Sequence, residues 1–108
     1  MKTIKYDVWS LDVWGNEEDG FDVNDRSCYE RGVEFPTTHN VYNKGTEAEF
    51  SHNYPSDQQI LETLQEIGFL KDRCTLADIT IDGESDNTMY LEDSKTGFPI
   101  CQLEHVED

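Results

Sequence analysis

One segment of this chain, PSDQQILETLQEIGF, sets its apolar residues at a helical period; almost everywhere else they alternate. That contrast confines the fold to a sheet carrying one main helix. Ser56 followed by Gln59 makes a capping box, in which each residue satisfies a backbone N–H that the first helical turn leaves open. Asp57 suits the positive end of the helix dipole. Ile60, Leu61, Leu64 and Ile67 form one apolar stripe, with Glu62, Gln65 and Glu66 opposite. Gly68 is placed to end the segment in a left-handed conformation. The spacing predicts a helix over about residues 56–67.

The flanking regions read as strands. In TIKYDVWSLDVW the alternation changes phase: Ile4, Tyr6 and Val8 share one parity, and Trp9, Leu11 and Val13 the other. A bulge near Val8 and Trp9 would bring both sets to the core side. GNEEDG reads as a turn, Phe21 to Val23 as a short strand and NDRS as a second turn. CYERGVEF reads as a strand with Gly32 at a possible bulge. Val41–Tyr42 is a short extended piece, and Ala48 and Phe50 fit an exposed edge strand. After the helix, LADITIDG and NTMYLED alternate, and SKTG joins the second of them to FPICQLEHV as a hairpin. Pro99 lacks a backbone N–H, so it belongs at an edge or at the start of its strand. These readings give one α+β domain over residues 1–108, an antiparallel sheet of five or six strands with the helix packed on one face.

Charge is the strongest global property. The chain holds 24 Asp and Glu against 8 Lys and Arg, a net charge of −16. The excess is spread along the length, with nine, six and nine acids in successive thirds. Such a field repels nucleic acid and anionic membrane and attracts basic protein surfaces. It also serves solubility. No stretch approaches the roughly 20 apolar residues of a membrane-spanning helix. MKTIKYDVW has no apolar signal region. Cys28, Cys74 and Cys101 are odd in number and show no disulfide spacing. A reducing cytoplasm with free thiols is the expectation.

The densest acidic stretch is VWGNEEDGFDVNDRS, where Glu17, Glu18, Asp19, Asp22 and Asp25 surround Trp14. Asn, Asp and Gly supply turn conformations. An aromatic ringed by carboxylates also suits contact with a basic partner. A calcium loop does not fit. With Gly20 at its sixth position the first is Gly15 and the twelfth Arg26; with Gly83 sixth the twelfth is Met89. Cys101 and His105, four apart on a predicted strand, lie about 13 Å apart and cannot share zinc. His39 and His52 have no local partner. No nucleophile elbow, phosphate loop, dinucleotide fingerprint or HExxH pair is present. No catalytic residue, metal ligand or cofactor is therefore expected, although a site assembled in space from distant residues leaves no motif.

DVWGNEEDGFDVND, the later IDG and TGFPICQLE resemble the small acidic proteins encoded by bacteriophages and prophages. The resemblance is one of style and carries over no functional residue. It implies a protein that blocks a host nucleic-acid enzyme or defence system by imitating the charge of DNA. The expectation is a non-enzymatic protein that binds a basic protein surface, such as a nucleic-acid-binding host protein, through Trp14, Glu17, Glu18, Asp19, Asp22 and Asp25. Two alternatives stand beside it: a self-associating accessory protein whose acidity serves solubility, and an enzyme with a site assembled only in space.

Overall fold

A computed structural model describes residues 3–16, 18–42, 44–85 and 88–106. The strands are β1 (Thr3–Asn16), β2 (Gly20–Pro36), β3 (Thr38–Tyr42), β4 (Phe50–Tyr54), β5 (Ile79–Ser85), β6 (Thr88–Asp93) and β7 (Pro99–His105), with helix α1 (Asp57–Glu66) between β4 and β5. Five strands form one sheet in the order β2-β1-β7-β6-β5, and β3 and β4 pair separately. Every pairing is antiparallel. The α+β reading holds in its coarse form, a mostly antiparallel sheet with one helix.

The helix follows its local signals. The Ser56 hydroxyl accepts from the Gln59 N–H at 3.2 Å, and Gln59 Oε1 accepts from the Ser56 N–H at 2.8 Å. At the other end Gly68 turns left-handed at φ +82. There the Phe69 N–H reaches the Leu64 carbonyl at 2.9 Å and the Gly68 N–H the Gln65 carbonyl at 3.0 Å. These two bonds are the Schellman pattern. Ile60, Leu61 and Leu64 are buried as expected, together with Thr63. Gln65, placed on the polar face by its spacing, instead donates to the carbonyls of Lys71 and Cys74 at 3.0 and 2.9 Å and braces the following loop. Replacing Ser56 by alanine is expected to lower stability by about 1 kcal/mol. An unchanged thermal melt of Ser56→Ala would mean that Ser56 does not stabilise the helix.

The core lies between α1 and one face of the sheet. Tyr6 and Val8 of β1, Val33 and Phe35 of β2, Leu91 of β6, and Cys101 and Leu103 of β7 pack there with Ile60, Leu61 and Leu64. Tyr6 meets Phe35 edge-on at 5.5 Å. The phase change in β1 has a different cause from the expected one. Register shifts do fall at Tyr6/Val8, Val8/Trp9 and Asp12/Val13, but the surplus residues belong to β2. β2 spans seventeen residues beside the fourteen of β1. β1 itself keeps strict register with β7 from Tyr6 to Ser10. Val8 therefore faces the helix while Trp9 faces the other side of the sheet, opposite Gln102.

NDRS is accordingly no turn: residues 20–36 are one strand that takes up its surplus as bulges. Gly32, at φ +64, sits at one of them and donates its N–H to Asp7 Oδ1 at 2.9 Å. Tyr29 sits at another. Its ring packs edge-on against Phe69 at 4.9 Å and its hydroxyl meets the Ile67 carbonyl at 3.3 Å, tying β2 to the end of the helix. Pro99 is the first residue of β7, an interior strand, so its missing N–H costs the ladder little. Ala48 lies outside β4. Among the described residues, no helix is long and apolar enough to cross a membrane.

Candidate functional site

The acidic stretch is the distal half of the β1–β2 hairpin. Asn16 and Gly20 are the last pair before its tip. Gly15 and Gly20 both hold positive φ, at +109 and +89. A Cβ on Gly15 would meet the Gly20 carbonyl oxygen at 2.2 Å, which only glycine avoids. Asn16 closes the turn by accepting the Asp19 N–H on its side-chain oxygen at 2.8 Å. Turn chemistry thus explains part of the composition.

It does not explain the rest. Trp14 is 65% exposed and stands directly opposite Asp22. Asp12 stands directly opposite Asp25. Like charges facing across a ladder destabilise it, and the nearby groups relieve this only in part. Asn24 donates to Asp12 at 3.3 Å, and Asp25 accepts the Arg26 N–H at 2.7 Å. Glu18, Asp19, Asp22 and Asp25 are all exposed. Five of the six residues singled out from sequence thus share one arm, and Glu17 lies outside the described residues.

The arm borders a cleft that no motif in the sequence marks. β2's bulges increase the local twist, and the arm stands over the sheet face turned away from the helix. The resulting cleft of about 420 Å³ has Leu11 and Phe21 of the arm on one side, and Tyr90 and Pro99 on the other. Phe21 is held by Phe98, edge-on at 5.2 Å. Phe98 follows the β6–β7 turn, which Asp93 organises by accepting the N–H groups of Lys95 and Thr96 at 2.9 and 3.0 Å. Those bonds hold the Asp93 carboxyl below the usual carboxylate range, Thr96 contributing most.

Asp25, Asp82 and Glu92 also line the cleft, with Arg26 and Gln102. Arg26 stacks over the Trp9 ring at 4.0 Å and donates to Gln102 Oε1 and Glu104 Oε2, both at 3.1 Å. Arg26 thus pairs with Glu104 and lies over the indole. Trp9 Nε1 is buried without a partner among the described residues. The signal for this second face was in the sequence: the Trp9, Leu11 and Val13 parity is the face that the cleft uses.

Among the described residues, no group of three His, Cys, Asp or Glu is placed to hold a metal ion. Cys101 and His105 do lie on a strand, as expected. His39 Nδ1 lies 3.2 Å from Asn53 Oδ1 across the β3–β4 pair. The three cysteines are free thiols. Burial pushes the Cys101 thiol up to about 12. Burial, then Asp78 and Asp93, raise that of Cys74. In the native protein at mild alkaline pH, a thiol reagent is expected to modify the two half-buried thiols, Cys28 and Cys74. Cys101 should react only on unfolding. Rapid native labelling at Cys101, read by peptide mass, would contradict its burial.

Comparison with the models of known protein families, with curated proteins and with solved structures finds no match.

Proposed function

We propose that this is a non-enzymatic binding protein whose acidic β1–β2 arm docks on a basic protein surface. The observation that carries the reading is the Trp14–Asp22 and Asp12–Asp25 pairing on an exposed arm. The fold gains nothing from a tryptophan left in water or from carboxylates set face to face. A basic partner would bury the first and neutralise the second.

The sharper form of the proposal is an inhibitor of the phage type, displacing DNA from a host nucleic-acid-binding protein by imitating its charge. Alternate residues on a strand stand about 7 Å apart, close to the phosphate spacing along one DNA strand. Capture from a bacterial lysate at low salt, followed by association kinetics on the captured protein across a salt series, tests both forms. Docking through the arm predicts association that falls steeply with salt. Charge mimicry adds that a short DNA duplex competes. Salt-independent association defeats the proposal, and failure of the duplex to compete leaves only its general form. Sedimentation of the protein alone separates it from self-association.

A further inference from the structure

The cleft beside the arm has a composition of its own. Asp82 and Glu92 line it and, among the described residues, have neither a cation nor a hydrogen-bond donor on their carboxylates. Arg26 lines the cleft too, but its Nη1 turns to Glu104 and Gln102, and among the described residues it makes no bond to Asp82 or Glu92. The walls between are apolar and aromatic.

Gln102 supplies a separate observation. It is only 9% exposed, and it lines the same cleft. Its Oε1 accepts from Arg26, and a guanidinium can only donate, so the amide orientation is fixed. The Gln102 NH2 group is therefore the free end, and it has no acceptor among the described residues. That end keeps access to solvent, so it is open to an acceptor entering the cleft.

These groups are arranged in order across the sheet. Gln102 on β7 pairs with Tyr90 on β6, and Tyr90 pairs with Asp82 on β5. Directly opposed residues share a face, so the row runs amide donor, aromatic ring, carboxylate. Two strand spacings, about 10 Å, separate its ends. Glu92, two residues from Tyr90, flanks the acidic end.

We propose that this cleft binds one arginine or lysine residue of the partner protein, a reading that rests on the docking function above and deepens it. The backbone carbonyl of that residue accepts from the Gln102 NH2 group. Its aliphatic stem crosses Tyr90, and its cation reaches Asp82 and Glu92. Asp25 of the arm also lines the cleft. An apolar stem with a charged head matches this order of groups; a metal ion or a neutral ligand does not.

The test is a titration of the intact protein with the blocked tripeptide acetyl-Gly-Arg-Gly-amide, followed by amide NMR. The same peptide with citrulline in place of arginine is the neutral control. Binding should move the Gln102 side-chain NH2 signals and the backbone amides of Tyr90 and Asp82. Asp82→Asn and Glu92→Gln should each weaken it about tenfold, the scale of a charged hydrogen bond. Asp82 is exposed, so Asp82→Asn keeps the fold even if Glu92→Gln does not. Citrulline should bind at least tenfold more weakly than arginine. No movement in the cleft at millimolar peptide, equal binding of citrulline, or undiminished affinity in Asp82→Asn each overturns the proposal. Trp14→Ala separates the two readings. It should leave tripeptide affinity unchanged while weakening the full partner. If tripeptide binding fails but the partner still needs Trp14, the cleft assignment falls and the docking arm stands. If the tripeptide binds but the partner ignores Trp14, the arm falls instead.

Discussion

Reversing Glu18, Asp19 and Asp22 to lysine is expected to slow association with a basic partner at least tenfold at low salt, with a smaller change in dissociation. Charges at the rim of an interface act mainly through long-range steering, which raises association rates by about 10 to 10³. Each reversal adds two charges, so the net charge moves from −16 to about −10, with the whole change at the tip of one arm. The effect should shrink with salt, because exposed charges are screened beyond about 8 Å at physiological ionic strength. Trp14→Ala should behave the other way. An indole that becomes buried on docking is an anchor, and losing about 2 kcal/mol of it speeds dissociation roughly 30-fold. Because the arm is exposed, both variants should melt within about 0.5 kcal/mol of the parent. Surface kinetics on the captured partner and thermal melts decide the matter. Association that is unchanged by the triple reversal at every salt concentration reduces the arm to a solvated hairpin.

Leu103→Ala is expected to cost about 3 kcal/mol, with a range of roughly 2 to 5. Leu103 is fully buried at 0% exposure on an interior strand, opposite Val8 on one neighbour and Met89 on the other. Strands on both sides hold the backbone in place, so the cavity has little room to collapse. A domain of this size is stable by only about 5 to 15 kcal/mol. The melting temperature should therefore fall by more than 10 °C. A loss under 1 kcal/mol by denaturant titration would mean that β7 is not where the core is tightest. Alkaline pH probes the same core. Tyr6 and Cys101 are both pushed up to about 12, burial being the larger cause for Tyr6 and the cause for Cys101. The fold favours their neutral forms, so stability is intact below their ordinary values of 10.0 and 9.0. It then declines as pH climbs from there toward 12.

Local features could be read from the residues alone. The helix from Asp57 to Glu66, its Ser56 cap and its Gly68 stop depend on residues within a few positions of one another, so their spacing could be read directly. The same holds for the turn at Asp93, for Pro99 at a strand start and for glycine at the arm's tip. The acidic residues around Trp14 were legible as a cluster for the same reason. Tertiary structure decided the rest. Which of β1's two apolar parities faced the helix depended on β7, because a period of two says that residues alternate and not which side is covered. The surplus residues of β2 could be counted only against β1, its partner across the hairpin. Joining Phe21–Val23 to Cys28–Phe35 as one strand needed that pairing too. The cleft was illegible because its row, Gln102, Tyr90 and Asp82, comes from three strands. Only the register of β5, β6 and β7 sets those residues side by side.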